Sequence, residues 1–215
     1  MLKPEKGLLT FDAEGNNLKS SKFYSRRIHW PGIESTCSRN ASGVTIGRGF
    51  DLGNRSKINA LLFLKKAGIA KEKAEIISEG ARLKGCAAYD FVLKNREKAG
   101  EITESQQLSL FDISYQELEN DVKRICQKRS VITQYHPNPK ISANDAWNNI
   151  PDKIKDVLID MRYRGDYGVH ARELLQHAAY GADLNGFGKI LSNHSLWPQV
   201  PRDRFNRRVE FYENN

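Results

Sequence analysis

Apolar residues repeat at helical spacing along most of the chain after residue 55. The clearest repeat begins at Thr103, which forms a capping box with Gln106 three residues later. Apolar residues then recur at intervals of three or four positions: Leu108, Phe111, Tyr115, Leu118, Val122 and Ile125. This stripe predicts an amphipathic helix of about six turns.

Shorter patterns of the same kind predict further helices. They are expected at residues 56–68, 71–79, 84–96, 151–164, 170–180 and 183–192, followed by a final basic helix. Ser56 suits the N-cap of the first of these helices, and Pro151 suits the first position of the fourth. Residues 129–141 contain Pro137 and Pro139 and are expected to form a loop.

The first 55 residues lack helical periodicity and are rich in Gly, Ser, Asn and Arg. The segment "VTIGRGF" alternates enough to be one strand of a hairpin, with glycines at bends or where backbones approach closely. We therefore predict an α+β fold, mostly helical. It would be a single domain over residues 1–215, with a hairpin region at 1–55, connecting helices at 56–100 and a helical lobe at 101–215.

The chain is basic, with 34 Lys and Arg against 26 Asp and Glu and a formal charge of +8. This charge favours anionic partners such as nucleic acid, anionic lipid or bacterial cell-wall polymers. The basic residues are spread along the sequence, which argues against a dedicated nucleic-acid element. No apolar run approaches the roughly 20 residues of a membrane helix, and the start lacks the apolar region of a signal peptide. Localisation is left unassigned.

The three cysteines, Cys37, Cys86 and Cys126, are widely spaced and form no C-x-x-C pair. Free, mostly buried thiols are expected, with one disulfide plus one free thiol as the alternative. His170 and His177 have no Cys or carboxylate that completes a ligand set with them. We therefore expect neither a metal site nor a cofactor.

The glycine-rich segment "SGVTIGRGFDLG", residues 42–53, could suggest a phosphate-binding loop. Its glycines are spaced one residue too far apart for a dinucleotide fingerprint, and no G-K-[ST] is present. A structural hairpin is the simpler interpretation, with Asp51 capping the following helix. Upstream, however, Glu14 lies between apolar residues and Gly15, a setting that can bury a carboxyl group. Two carboxyls in different environments are what glycoside hydrolysis requires.

The sequence resembles the lysozymes of T-even phages, and more closely the pesticin-type branch of that family. The motifs are "DAEGN", "HWPG" and "SGVTIGRGFDLG", then "ITESQQLSLFDISYQELENDV", "VLIDMRYRGDYG" and "LWPQVPRDRFNRRVEF", in family order from about residue 8 to 212. The resemblance implies a two-lobed phage-lysozyme-like fold, with a small N-terminal β-hairpin lobe and a larger C-terminal helical lobe. It also implies a peptidoglycan muramidase, a bacteriolytic hydrolase.

The resemblance assigns three catalytic roles. Glu14 would be the general acid that protonates the glycosidic oxygen, and Thr45 would hold the attacking water. Asp51 stands six residues after Thr45, the spacing of the pesticin branch, and would be the second carboxylate. Phage-type enzymes instead carry an Asp between the Glu and the Thr, and this chain has none there. Glu34, in an apparent loop insertion, is the rival.

Substrate-binding positions follow from the same resemblance. Arg204, preferred over Arg208, would bring a guanidinium from the last helix towards the catalytic acid. Tyr163 and Arg164 fall where the helical side of the family's cleft is lined.

Two further candidates lie near the hairpin. Arg48, between two glycines, would either contact substrate carboxylates or staple the hairpin. Trp30 is the best candidate for stacking on a sugar face.

The function implied is hydrolysis of the β-1,4 bond between N-acetylmuramic acid and N-acetylglucosamine, with inversion. The alternatives are a lytic transglycosylase, which would not need Asp51, an inactive lysozyme-fold protein that binds peptidoglycan, and a nucleic-acid-binding protein. The expected partner is peptidoglycan, with an inhibitor or immunity protein left open. The protein is expected to be a monomer that neither binds nucleic acid nor inserts into membranes.

Overall fold

The computed structural model describes residues 2–214, so Met1 and Asn215, the ends of the predicted 1–215 domain, lie outside the described residues. The described chain is mostly helical with one short antiparallel sheet, which confirms the α+β, helix-dominated class. The strands are β1 (Thr45–Ile46) and β2 (Phe50–Asp51). The α-helices are α1 (Leu8–Ala13), α2 (Lys57–Lys66), α3 (Lys71–Ser78), α4 (Gly85–Ala99), α5 (Glu104–Cys126), α6 (Arg129–Tyr135), α7 (Ala143–Asn148), α8 (Asp152–Arg164), α9 (Val169–Tyr180), α10 (Leu184–Ser192) and α11 (Arg202–Asn214).

The two predicted N-caps are confirmed. The Ser56 hydroxyl accepts a hydrogen bond from the Asn59 amide at 3.2 Å at the start of α2. At the start of α5, the Gln106 amide donates to the Thr103 hydroxyl at 3.1 Å, and the Thr103 amide donates to the Gln106 side chain at 2.9 Å. These bonds satisfy amides that have no partner within the helix.

The predicted loop at 129–141 is wrong over its first half. Residues 129–135 form α6, because Val131 and Ile132 supply a buried apolar face before the prolines begin. Helix α7, which was not predicted, follows the prolines. Pro151 lies at the N-cap of α8, one position before the first helical residue.

The described chain divides into two compact units. The first contains the residues up to Lys6 and Glu14–Ser114, with the sheet and helices α2–α4. Its core combines hairpin and helix residues, including Ile28, Trp30, Val44, Ile46, Phe50, Leu52, Leu64, Ile77, Ile102 and Leu110. Helix α2 buries Ala60 and Leu64, whereas Ile58 and Leu62 are exposed.

A disulfide joins Cys37 to Cys86, so the expectation of three free thiols is wrong and the alternative is confirmed. The bond links the 3₁₀ helix Glu34–Arg39 to the first turn of α4. Cys126 is free and buried, and burial raises the pKa of its thiol. The wide spacing of the cysteines in the sequence does not show which of them lie close together, whereas the fold brings Cys37 and Cys86 into contact.

The second unit contains Gly7–Ala13 and the described residues from Tyr115 onward. A buried ionic network lies inside it around Asp160 of α8, whose side chain is fully buried. Asp160 accepts hydrogen bonds from Thr10 of α1 at 3.0 Å, from Arg204 of α11 at 2.5 and 3.1 Å, and from Arg208 of α11 at 2.6 Å. Three helices are therefore tied to one carboxylate.

Across residues 2–214, none of the helices combines the length and apolar character that crossing a bilayer requires.

Candidate active site

Glu14 follows α1 directly and stands at a bend, with its side chain half-buried. The next residue, Gly15, has φ +125°, a conformation that L residues rarely adopt. A Cβ at this position would also come within 2.5 Å of the Ser25 hydroxyl. The Glu-Gly dipeptide therefore has a structural cause, since only glycine allows the chain to turn here against Ser25.

The hairpin pairs Thr45 directly with Asp51, and Ile46 with Phe50. Residues opposite each other in an antiparallel pair share a face, with Cβ atoms about 5 Å apart. Ile46 and Phe50 turn into the apolar core. The hydroxyl and the carboxylate proposed from the sequence therefore lie side by side on the other face.

Backbone amides hold the Asp51 carboxylate in place. One oxygen accepts from the Gly43 amide at 3.2 Å and the other from the Gly53 amide at 2.5 Å. A Cβ at Gly43 would collide with this carboxylate and with the backbone of Gly53. Asp51 does not cap α2, because Ser56 does so.

Arg48 connects the hairpin to the segment that carries Glu14. Its guanidinium donates to the Glu14 carbonyl at 3.3 Å and to the Asn17 side chain at 2.7 Å. Ser25 adds a second connection: its hydroxyl accepts from the Asn16 amide at 2.6 Å, and its carbonyl accepts from the Gly47 amide at 2.7 Å. Glu14, Thr45 and Asp51 are thus carried on one hydrogen-bonded framework within the first unit.

The family model described as "Domain of unknown function (DUF8812)" matches residues 7–209. The chain belongs to the DUF8812 family. The matched range includes Glu14, Thr45 and Asp51 and residues of both compact units. A search of curated proteins found no match.

Two candidates in and near the hairpin of this DUF8812 protein have buried side chains with structural partners. Trp30 is only 5% exposed, and its indole N–H donates to the Ser42 carbonyl at 3.0 Å. It is a core residue that offers no open face to a sugar, and the stacking prediction is corrected. Arg48 is 2% exposed, and the hydrogen bonds described above favour the staple over substrate contact.

The remaining predicted residues belong to the second unit of the DUF8812 chain. Arg204 and Arg208 are buried and form ion pairs with Asp160, so neither side chain lies on a solvated face of α11. Tyr163 and Arg164 are half-buried in the last turn of α8, where Arg164 forms an ion pair with Asp166. The approach of Arg204 to the catalytic acid stays a prediction.

Glu34, the rival carboxylate, is exposed in the first turn of the 3₁₀ helix. It hydrogen-bonds with Tyr89, and this bond is the main reason why the pKa of that phenol is raised. Glu34 thus has the character of a surface residue. Among the described residues, no group of three His, Cys, Asp or Glu is arranged to hold a metal ion.

Sequence reasoning missed His29, which is 6% exposed. The backbones of His29 and Thr45 exchange two hydrogen bonds of 2.8 Å, so His29 pairs with β1 on the side away from Asp51. Burial lowers the pKa of its imidazole from 6.5 to about 4. A possible signal was the polar residue between Ile28 and Trp30, an alternation typical of a strand.

Proposed function

We propose that this DUF8812 protein is a peptidoglycan muramidase with a phage-lysozyme-type fold. It would hydrolyse the β-1,4 bond between N-acetylmuramic acid and N-acetylglucosamine. One observation carries the proposal: the hairpin that pairs Thr45 with Asp51 also holds, through Arg48, the backbone of Glu14. A glycosidase needs an acid and a water-activating carboxylate held in fixed relation, and this framework supplies such a relation.

In the proposed reaction, Glu14 donates its proton to the glycosidic oxygen as the bond to the anomeric carbon breaks. A water held by Thr45 attacks that carbon from the opposite face, and Asp51 accepts the proton that the water loses. The anomeric configuration is inverted in a single displacement. This reaction needs no cofactor.

The positive charge has a role in the same proposal. Cell walls are polyanionic, so a formal charge of +8 would concentrate the enzyme at its substrate. The alternative of nucleic-acid binding has less support, because the basic residues are not grouped on one recognition element.

The test is the release of reducing sugar from purified peptidoglycan, with product masses recorded. We expect release by the wild type, and loss of at least about a hundredfold in Glu14→Gln and in Asp51→Asn. Glu34→Gln is the matched control, since it removes the rival carboxyl and is expected to retain wild-type activity. If Glu34→Gln is inactive and Asp51→Asn is active, then Glu34 and not Asp51 is the second catalytic carboxylate.

The products separate the alternatives. Masses that include one added water identify a hydrolase, whereas anhydro products identify a lytic transglycosylase. Binding to peptidoglycan without release from folded wild type would identify an inactive wall-binding protein. Retention of the anomeric configuration with a soluble muropeptide oligomer would remove Asp51 from the role of base.

A further inference from the structure

Three polar side chains lie in one row across the hairpin. Thr45 is paired on one side with Asp51 and on the other with His29, both in antiparallel register. Because opposite residues in antiparallel pairs share a face, the imidazole, the hydroxyl and the carboxylate are on the same face. Ile28 and Trp30, on either side of His29, belong to the apolar core with Ile46 and Phe50.

The imidazole of His29 has a defined tautomer. Its Nδ1 lies 3.1 Å from the Arg27 carbonyl oxygen, which can only accept, so Nδ1 carries the proton. Nε2 therefore keeps a lone pair. No described residue donates a hydrogen bond to Nε2. Among the described residues, Nε2 of His29 is also not one of the fully inaccessible polar atoms that lack a hydrogen-bond partner. Nε2 therefore remains an acceptor with a small accessible surface, in a side chain that is 6% exposed.

The surroundings keep the imidazole neutral at pH values near 7. Burial is the largest cause of its lowered pKa, and the Arg96 guanidinium acts in the same direction. The hydrogen bond to the Arg27 carbonyl, the second-largest cause, and the Asp51 carboxylate raise the pKa but do not outweigh burial. A neutral acceptor is therefore available next to Thr45 without neutralising the charge of Asp51.

The spacing of the row suits a bound water. Two strand spacings separate the backbones of His29 and Asp51 by about 10 Å. The Asp51 carboxylate leans towards the middle strand, because it accepts from the Gly43 amide. The Thr45 hydroxyl donates to the Gly43 carbonyl at 3.3 Å, a long hydrogen bond that the hydroxyl can exchange for one to a bound water.

We propose that His29 is a further member of the catalytic row, a neutral hydrogen-bond acceptor that orients the attacking water together with Thr45 and Asp51. The inference rests on the proposed muramidase function. A water with one proton directed to Asp51 needs an acceptor for the second, so that its remaining lone pair points at the sugar. Nε2 of His29 provides that acceptor, while the Thr45 hydroxyl donates to one of the two lone pairs of the water.

The test compares His29→Phe, which keeps the ring volume but has no acceptor, with His29→Gln, whose amide oxygen can occupy the Nε2 position. We measure kcat and KM on a soluble muropeptide oligomer, and the thermal unfolding midpoint of each variant. His29→Phe should lower kcat by about 10- to 100-fold with KM changed by less than about twofold, and His29→Gln should restore most of the loss.

His136→Phe is the matched control, because it makes the same change at a histidine of the second unit, whose ring contacts Tyr180. It should leave kcat unchanged. Wild-type kcat in His29→Phe would overturn the inference, as would equal losses in both His29 variants that follow lowered unfolding midpoints. If the wild type releases no reducing ends, the proposed function fails and the inference fails with it. If the wild type is active and Glu14→Gln is inactive, the proposed function stands, and wild-type kcat in His29→Phe then counts against the role of His29 alone.

Discussion

The buried imidazole of His29 should make the stability of the protein depend on pH. Folding lowers its pKa from 6.5 to about 4, chiefly through burial. As pH falls through this window, the unfolded chain binds a proton that the folded protein does not. The free energy of unfolding therefore falls with pH, and stability that is present above pH 6.5 is lost as pH approaches 4. One pKa unit corresponds to about 1.4 kcal/mol, so the full loss from this residue is about 3 kcal/mol.

The assay is urea-induced unfolding of the wild type and of His29→Gln at pH 7, 6, 5 and 4. Other groups also titrate in this range, so the informative quantity is the difference between the two pH profiles. We expect the wild type to lose about 3 kcal/mol more than His29→Gln between pH 7 and 4. His170→Gln removes an exposed histidine and should follow the wild type. Parallel profiles for wild type and His29→Gln would refute the reasoning.

Four further predictions follow from the packing, the hairpin and the charge. Asp160→Asn removes the carboxylate that pairs with buried Arg204 and one of the two carboxylates that pair with buried Arg208, so it should lower the free energy of unfolding by about 3–5 kcal/mol. Asp152→Asn, whose side chain is exposed, should leave the urea midpoint unchanged. Replacing Cys37 and Cys86 by serine opens a loop that spans 49 positions and should lower the stability by about 4 kcal/mol in urea unfolding. Gly43→Ala should reduce reducing-sugar release at least about tenfold, because its Cβ displaces the carboxylate that accepts from this residue's amide. Lysis of whole cells should slow as salt is raised. Equal rates at low and high ionic strength would show that the positive charge does not concentrate the enzyme at the cell wall.

The elements that could be predicted from the sequence are those specified by local chemistry. The Thr103 and Gln106 pair marks the start of α5 through hydrogen bonds between residues three positions apart, and the structure contains both bonds. Helix α6 was missed because two prolines beyond its end outweighed the short apolar pair inside it. Proline stops a helix from continuing but carries no information about what precedes it by several residues.

The part of the candidate site that could be predicted is the part whose residues lie in one continuous segment of the chain. Thr45 and Asp51 are six residues apart in a hairpin, so one short turn brings them together. His29 reaches the same row through pairing between segments that are distant in the chain, and a single sequence gives no register for such a pairing. The same reason explains why the burial of Trp30 and the disulfide partners were not recognised.

The hydrogen bonds of Asp51 also decide how its variants must be interpreted. The carboxylate accepts from two backbone amides, one on each oxygen, whereas an asparagine in its place has a single oxygen and turns an NH₂ group towards the other amide. Asp51→Asn therefore changes the local backbone contacts as well as the chemistry. An inactive Asp51→Asn protein with a wild-type unfolding midpoint would assign the loss to the missing base. An inactive protein destabilised as much as Gly43→Ala would assign it to a displaced hairpin, and the role of base would then depend on product stereochemistry alone.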